Sequence, residues 1–494
     1  MNRNKMDRRN FVRQAGLGSL AMGIPFTNIH NDKGNYKDFP AGNSRSSGKR
    51  PVNRPNILYI HSHDTGRYIQ PFGYSIPTPS LQTLANEGVL FKKYFTTHPT
   101  SSASRASLLT GMYPHNNGMI GLAHRGFMLK DLKTHINFTL KKQGYHSVLS
   151  GVQHVIASGK ENFYKETGYD EYLGNPGVAH IKAAEWFDKA PDSPFFMSVG
   201  FTETHREYPQ SKSDINPDHL KPPQPLPDVP EVRKDMARYI ESVRTLDEKI
   251  GYVLSALARN GLEENTLVIC TTDHGIAFPT MKCNLYDEGS GIFLIMRGPG
   301  GFKGGKTINS MVSVIDIFPT ICELLEIEKP EWLDGTSIMP LIRGEKEEIR
   351  EEIFSQVNYH ASYEPMRAIR TRQYKYIRRY GDKRTPVLPN CDDGFSKQYW
   401  LDNGWKEMKL PDEELYDLIF DPNERNNLVT DPGKREILHM MRTRLDLMMK
   451  NTRDPMVRGY IEAPPDAVLN NADDISPREK PYKASDLYKF NRKL

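Results

Sequence analysis

Apolar strands that end in polar residues recur along this chain, and helical segments separate them. The run Asn56 to Ile60 leads into His61-Ser62-His63-Asp64, and the run Thr266 to Thr271 leads into Thr272-Asp273-His274. Continuous apolar runs of this kind indicate strands that are buried on both faces. Because strands that alternate with helices form parallel sheets, we predict an α/β fold with a large, mostly parallel sheet sandwiched by helices.

Two more strands of this kind precede histidines. Tyr145 to Leu149 leads toward His154, and Pro194 to Gly200 leads toward His205. A further strand is predicted at Ile292 to Met296, with helices over 134–143, 178–189, 231–260 and 312–326. In the helix over 231–260 the apolar residues recur at helical spacing, which indicates a face packed in the core rather than a cofactor site. These residues are Met236, Tyr239, Val243, Leu246, Ile250, Val253 and Leu257.

The pattern changes near residue 345. Short strands at Tyr374 to Ile377 and Glu414 to Asp417, followed by a helix near 433–450, predict a smaller α+β subdomain with an antiparallel sheet. We therefore expect a large domain over residues 51–344 and a C-terminal subdomain over residues 345–494.

The N-terminus is expected to lie outside the fold. Arg8-Arg9-Asn10-Phe11-Val12 precedes a short apolar, glycine-rich run, which resembles a twin-arginine export signal. We interpret residues 1–30 as this signal and residues 31–50, rich in Gly, Asn, Ser and Lys, as a linker. The protein is accordingly expected to be periplasmic or otherwise exported. No other segment of the sequence has the length and apolar character of a membrane span.

The net charge and the cysteines bear on three classes of protein: nucleic-acid-binding proteins, disulfide-stabilised proteins and proteins with cysteine metal sites. A formal net charge of +5 over 494 residues is small, so it gives no reason to expect a nucleic-acid partner. The four cysteines are too few and too scattered for a disulfide framework, and none has metal-ligand spacing to another.

The segment from Thr100 to Gly111 carries the strongest chemical signal. Several hydroxyl residues and Arg105 stand directly before an apolar helical turn, with Ser104 or a neighbour available as N-cap. A helix N-terminus favours an anion, and a guanidinium suits the oxygens of sulfate or phosphate. The segment predicts an anion site with a candidate nucleophile, whereas a serine-rich cap beside a surface arginine is the simpler alternative.

The polar strand ends favour the first interpretation. Ligands in open α/β sheets gather at the carboxyl ends of the strands. Carboxylates from distant strands, together with a polar group at position 101, could hold a divalent cation that polarises a bound oxyanion. The residues expected to meet there are Asp64, Ser101, Arg105, His154, His205, Asp273 and His274.

Ser101-Ser102-Ala103-Ser104-Arg105, followed by Leu108-Leu109-Thr110-Gly111, resembles the signature of the formylglycine-dependent (type I) sulfatases of the alkaline-phosphatase-like superfamily. The resemblance implies that Ser101 is the nucleophile precursor, oxidised to 3-oxoalanine (formylglycine) by a maturase of the oxygen-independent kind. It also implies a metal, most often calcium in this family, bound by Asp64, Ser101, Asp273 and His274.

His63 stands where the family carries the first of two adjacent aspartates. An imidazole is a poor calcium ligand and suits zinc or manganese better, so either His63 lies outside the metal shell or the metal differs.

The resemblance assigns further roles. Lys282 lies in a run that resembles the family's lysine motif and is expected to contact a sulfate oxygen. Catalytic roles therefore fall to Ser101, Arg105, His154, His205 and Lys282. Gly151-Val152-Gln153-His154 departs from the family's Gly-Lys-x-His, so one lysine is missing.

The resemblance is closest to the heparan N-sulfatase branch, on runs such as Asn117 to Leu122 and Thr272 to Pro279. It implies a sulfated saccharide as substrate, with N-sulfoglucosamine of heparin or heparan sulfate favoured over an O-sulfated sugar. His124, Arg125, His360 and Arg367 are the expected sugar contacts. Two alternatives remain open: a phosphoester or phosphonate hydrolase of the same superfamily, and a glycan-binding protein that has lost catalysis.

Overall fold

The computed structural model describes residues 54–159, 161–189, 191, 194–212 and 214–486. The predicted export signal (1–30) and linker (31–50) lie outside these residues. Within the described part of the chain, no helix has both the length and the apolar character needed to cross a membrane.

The strands are numbered in chain order. They are β1 (Asn56–Ser62), β2 (Val89–Phe95), β3 (His146–Gly151), β4 (Glu171–Tyr172), β5 (Phe195–Gly200), β6 (Thr266–Thr272), β7 (Gly291–Arg297), β8 (Lys306–Ser313), β9 (Glu352–Tyr359), β10 (Tyr363–Thr371), β11 (Tyr374–Arg379), β12 (Glu413–Asp417), β13 (Val468–Leu469) and β14 (Tyr482–Lys483).

The helices are numbered in the same way. They are α1 (Pro79–Glu87), α2 (Ser101–Thr110), α3 (Pro114–Asn117), α4 (Ile136–Lys141), α5 (Phe163–Glu166), α6 (Ala179–Phe187), α7 (Pro230–Arg259), α8 (Asp287–Ser290), α9 (Ile317–Leu324), α10 (Met339–Ile342), α11 (Phe395–Asp402) and α12 (Arg435–Asn451).

Eight strands form the large sheet, in the order β4-β3-β5-β1-β6-β7-β2-β8. Neighbouring strands are parallel except where β7 pairs with β6 and with β2. The predicted mostly parallel sheet is therefore confirmed, with β7 as its one reversed strand among the described residues.

Both faces of this sheet are buried. Ile57 and Tyr59 of β1 join one apolar cluster, whereas Leu58 and Ile60 join a second cluster on the opposite face. Because successive side chains of a strand point to opposite faces, this division explains why β1 reads as an unbroken apolar run. Helix α7, which has Pro230 as its first residue, buries its whole apolar stripe from Met236 to Leu257 in the second cluster, as predicted.

The helix predicted over 312–326 was wrong in its first part. Val312 and Ser313 belong to β8, in which they lie opposite Tyr94 and Phe95 of β2. The chain leaves the strand at Ser313, whose backbone N–H donates to Asp316 Oδ2 at 2.7 Å, and α9 begins only at Ile317. A short apolar run fits both a strand and a helix, and the pairing with β2 decides between them.

A second sheet has the antiparallel order β12-β11-β10-β9, as predicted for the C-terminal part. Helix α12 packs against β10 and β11. Residues on the large-sheet strands and this second sheet belong to one compact unit.

The order of the large sheet also positions the polar strand ends. Strands β3, β5, β1 and β6 are consecutive neighbours and all run in the same direction. The residues that follow them therefore lie along a single edge of the sheet, as the sequence pattern predicts.

Candidate active site

Ser101 is the first residue of α2 and lies against this edge. Thr100 precedes it in an extended conformation as the N-cap, so the cap is Thr100 rather than Ser104. Ser104 instead lies inside the helix, where its Oγ donates to the carbonyl of Asp273 at 2.6 Å. This bond fixes the start of α2 against the end of β6, and Ser101 is 3% exposed.

The Ser101 hydroxyl lies among the residues that the strand ends supply. Its Oγ is 3.2 Å from His274 Nε2 and 3.4 Å from His63 Nδ1. Donor atoms of His63, Asp64 and Asp273 all lie within 4.8 Å of one another, a grouping that can hold a metal ion. His274 Nε2 adds to it, at 3.2 Å from Asp64 Oδ1 and 3.4 Å from Asp273 Oδ2.

Asp64 carries the observation that favours a cation here. It is fully buried, and its Oδ1 accepts no hydrogen bond from the described residues. Its backbone also has a φ of 51°, in the left-handed region that a non-glycine residue rarely adopts. A buried carboxylate oxygen without a donor is costly unless a cation compensates it.

Arg105 holds Asp273 rather than facing the cleft. Its guanidinium donates to Asp273 Oδ2, to the carbonyl of Ser62 at 2.8 Å and to His61 Nδ1 at 3.2 Å. Burial alone would raise the pKa of Asp273, but Arg105 and then His274 and His63 outweigh it and hold the pKa well below its usual range. Asp273 is therefore a permanent carboxylate, positioned by Arg105.

Lys282 is held between two carboxylates. Its Nζ lies 2.9 Å from Asp64 Oδ2 and 2.9 Å from Asp392 Oδ2. Burial would lower the pKa of Lys282, but Asp392 and Asp64 raise it well above its usual value, so the side chain keeps its charge. Asp392 was missed by the sequence analysis, because it lies in no recognisable motif.

Four histidines line the cleft above this cluster. They are His63, His124, His154 and His205, in the wall of a cavity of about 720 Å³. His124 Nδ1 and His154 Nε2 are 3.1 Å apart, and the His205 ring meets the His63 ring edge-on at 5.7 Å between centroids. Burial, and next Arg105, lowers the pKa of His154 well below its usual value. His154 is thus neutral near pH 7.

Val152 lines the same cleft, at the position where a lysine was expected. Among the described residues that line the cavity, Arg206 is the one with a permanent positive charge. Its guanidinium is engaged by both oxygens of Asp235, each at 2.7 Å, which reduces the charge that it offers to a ligand.

The four expected sugar contacts separate into different environments. His124 is exposed in the cleft, and His360 is buried with its pKa lowered by burial and by Lys282. Arg125 is half-buried and donates to the carbonyls of Ala361, Val468 and Pro477 at 3.3 to 3.4 Å.

Arg367 does not reach the cleft surface. Its side chain is 0% exposed and forms an ion pair with Asp454, in which Nη2 and Oδ1 are 3.0 Å apart. Nη1 donates to the carbonyls of Val357 and Met366 at 3.0 and 2.8 Å. In this structure Arg367 stabilises the second sheet, because four of its five N–H groups bond to Asp454 and to these two carbonyls.

The sequence also matches the models of known protein families. The sequence model of the sulfatase family matches residues 55–185 and 178–327. A second model, described as N-sulphoglucosamine sulphohydrolase, C-terminal, matches residues 279–390.

Individual relatives extend the match to most of the chain. N-sulphoglucosamine sulphohydrolase from Homo sapiens is 30% identical over 487 residues, covering 86% of this chain and 94% of that protein. An ulvan-active sulfatase from Formosa agariphila is 27% identical over 481 residues, covering 84% of this chain and 78% of that protein. The solved structure of BT4656 in complex with its substrate D-glucosamine-2-N,6-O-disulfate has a TM-score of 0.64 at 19% identity, covering 81% of this chain and 99% of that one.

The family match includes Ser101 and the residues grouped around it, from Asp64 to His274. On this match and the 30% identity to a named sulfohydrolase, the chain belongs to the sulfatase family of sulfuric ester hydrolases.

Proposed function

We propose that this protein removes sulfate from a glycosaminoglycan saccharide, with N-sulfoglucosamine as the favoured unit, through a formylglycine derived from Ser101. The observation that carries the proposal is the position of Ser101 Oγ, 3.2 Å from His274 and 3.4 Å from His63, beside the buried carboxylates of Asp64 and Asp273. A cleft of about 720 Å³ opens beside His63 and has room for a sugar unit.

A divalent cation fits this donor set. Asp64, Asp273, His274 and the group at position 101 would hold it, and it would polarise a sulfate oxygen. Arg105 keeps the Asp273 carboxylate charged and correctly oriented for this purpose.

The remaining steps fall to residues of this chain. The aldehyde at position 101 adds water to give a geminal diol. One hydroxyl loses its proton to solvent water and attacks sulfur, and the bond from sulfur to the sugar oxygen or nitrogen breaks. We assign the proton for the leaving group to His205, because Lys282 has a raised pKa and holds its proton firmly. His154 then takes a proton from the second hydroxyl, which expels sulfate and restores the aldehyde. An unmodified serine has no second hydroxyl and would remain sulfated.

The named relatives support the choice of substrate. The human relative is an N-sulphoglucosamine sulphohydrolase, and the C-terminal model of that protein matches residues 279–390 here. O-sulfated saccharides are the second candidate, since another relative is an ulvan-active sulfatase. Val152, in the place of a lysine, is the observation that keeps a binding protein without catalysis under consideration. A phosphoester or phosphonate hydrolase is the further alternative.

Mass spectrometry of the peptide that contains Ser101 tests the mechanism. In active protein we expect this peptide to be lighter by two hydrogens, and intact serine in fully active protein would exclude formylglycine chemistry. A panel of N-sulfated, O-sulfated and phosphorylated sugars, with release of free sulfate or phosphate as the readout, tests the substrate.

The proposal also includes a maturation step and export of the protein from the cytoplasm. Conversion of Ser101 requires a formylglycine-generating maturase of the oxygen-independent kind. The twin-arginine-like segment at residues 8–12 supports export, so fractionation of cells that express the full chain is expected to recover the protein outside the cytoplasm.

A further inference from the structure

We infer that the cation site of this protein is built for a transition ion such as Zn²⁺, four-coordinate at rest and able to take the group at position 101 as a fifth ligand, and not for Ca²⁺. The inference rests on the active site proposed above and assigns His63 as a metal ligand. Two observations support it: how many carboxylate oxygens of the cluster are free to bind a metal, and that the other available ligand atoms are imidazole nitrogens.

Few carboxylate oxygens of the cluster are available. Asp64 Oδ2 is engaged by Lys282 at 2.9 Å. Asp273 Oδ1 accepts from the backbone N–H groups of Asp64 and His274 at 2.8 and 2.9 Å. Asp64 Oδ1 accepts no hydrogen bond from the described residues, and Asp64 Oδ2 and Asp273 Oδ2 are each shared with one basic side chain. Calcium takes about six to eight oxygen ligands, so these three carboxylate oxygens and the group at position 101 leave at least about two positions of its shell to water.

Two imidazole nitrogens face these oxygens. His274 Nδ1 is 3.0 Å from the carbonyl of Gly275, and because a carbonyl can only accept, Nδ1 carries the hydrogen. In the neutral ring Nε2 then presents a lone pair to Asp64 Oδ1 and Asp273 Oδ2, at 3.2 and 3.4 Å. A backbone carbonyl that fixes the far nitrogen of a histidine is the usual outer-shell partner of a metal ligand.

His63 supplies the second nitrogen. Its Nδ1 lies 3.5 Å from Asp273 Oδ2. The ligand atoms of His63, Asp64 and Asp273 lie within 4.8 Å of one another, close enough to bind a single ion. A tetrahedral ion with bonds of about 2.0–2.1 Å separates its ligands by about 3.3–3.4 Å, which is close to the observed separations. Larger ions with more ligands also give such distances between ligand atoms. The chemical type of the ligand atoms therefore decides which metal fits the site. Two imidazoles and two carboxylates suit zinc, whereas calcium prefers oxygen throughout.

The test compares metal binding by the whole protein after removal of its metal with a chelator. Zn²⁺, Mn²⁺ or Ca²⁺ is added alone, and the melting temperature and the bound metal are measured. We expect Zn²⁺ to stabilise the protein at a concentration at least about tenfold lower than Ca²⁺. Equal stabilisation by Ca²⁺, or preferential binding of Ca²⁺, would overturn the inference.

His63→Asp examines the ligand directly, because it restores two adjacent aspartates. We expect this variant to lose at least about tenfold in Zn²⁺ affinity and to gain Ca²⁺ affinity. His439→Asp, the same change on the exposed surface of α12, is the matched control and is expected to leave both affinities unaltered. An unchanged metal preference in His63→Asp would contradict the role of His63.

A spectroscopic measurement on the unsubstituted protein covers the case in which His63→Asp does not fold. Co²⁺ in a four-coordinate site with nitrogen ligands gives intense visible bands, whereas six-coordinate oxygen ligation gives weak ones. We expect the intense bands, and the weak ones would refute the inference. None of these measurements uses sulfate release, so a wrong metal and a wrong substrate are told apart.

Discussion

Two clusters of buried charge show how this protein separates function from structure. The site cluster consists of Asp64, Asp273 and Asp392 with Arg105 and Lys282. The junction cluster, where the large sheet meets the second sheet, consists of Asp287, Glu288 and Glu424 with Arg67, Arg370 and Lys375. Both combine three carboxyl groups with basic side chains in a mostly buried environment.

The two clusters hold their protons differently. In the junction cluster Asp287 forms ion pairs with Arg370 and Lys375, at 2.9 and 2.6 Å. Burial, reinforced by the negative charge of Asp287, raises the pKa of Glu288 to about 7 and that of Glu424 to about 8. In the site cluster the carboxylates of Asp273 and Asp392 stay ionised, because Arg105 and Lys282 lower their pKa values despite burial.

The difference indicates what each cluster is for. Three carboxylates and two permanent cations leave the site cluster with one uncompensated negative charge, which attracts a metal ion. The junction cluster has as many basic side chains as carboxyl groups, and its Glu288 and Glu424, whose pKa values are raised, can take up protons. Burial of charge alone therefore does not mark an active site, whereas an unbalanced cluster that opens onto a cleft does.

The strongest test of this contrast removes the nucleophile and leaves every charge in place. We expect Ser101→Ala to lower sulfate release by at least about 10³-fold, since no diol can form at position 101. The melting temperature is expected to stay that of the parent protein. Ser158→Ala, at an exposed serine, is the control. Undiminished turnover by Ser101→Ala would rule out the nucleophile.

Removal of the proton acceptor is expected to have the next largest effect. His154→Gln should lower sulfate release by about 10²- to 10⁴-fold, because the second hydroxyl of the diol loses its base. The measurement is the turnover number at saturating substrate, with His439→Gln on the exposed surface of α12 as control. A turnover number equal to that of the control would transfer the role to another histidine of the cleft.

The two buried lysines allow a direct comparison of the clusters. Lys375→Met leaves Asp287 and Glu424 without their shared cation, and we expect it to reduce the free energy of unfolding by about 3–5 kcal/mol. Lys282→Met should instead lower activity by about a hundredfold. Its loss of stability should shrink when a divalent cation is added, since the cation compensates Asp64. Urea denaturation measures the loss of stability, and turnover per folded molecule measures the loss of activity. If the two variants lost stability and activity to the same extent, the distinction between the clusters would be wrong.

The smallest expected effect concerns pH. Glu288 titrates at about 7 in the folded protein and near its ordinary value of 4.5 when unfolded, so the folded state binds more protons in this window. The contribution of Glu288 to the free energy of unfolding therefore falls as pH rises from about 4.5 to 7. Glu288→Gln is expected to flatten this dependence, whereas Glu264→Gln at an exposed position should not. Denaturation midpoints across the window are the measurement, and a parallel slope in both variants would exclude Glu288 as the source.

The sequence was sufficient for the sheet and for most of the strand-end cluster. Continuous apolar strands have few alternatives, and Asp64, His154, His205 and Asp273 follow such strands directly. Helix α9 shows the limit, because Val312 and Ser313, predicted as its first residues, pair with β2 as part of β8, and the local sequence does not reveal this pairing.

The arginines show a second limit. Arg105 and Arg367 were both expected to meet the substrate, and both are buried against an aspartate of this chain. The partner of Arg367 is Asp454, 87 residues further along, and no local motif connects them. A side chain's type indicates what it can bind, but only the fold determines which partner it meets first. Asp392 was missed for the same reason.

The contact between Lys282 and Asp392 has a consequence for the synthesis of the protein. The residues of the site begin near the start of the described chain, yet Asp392 is translated after β11 of the second sheet is complete. A nascent chain that has already made Asp64, Ser101 and Asp273 still lacks one of the two counterions of Lys282. Full assembly of the site therefore waits until Asp392 has left the ribosome, and truncated products that end before this residue should lack a properly held lysine.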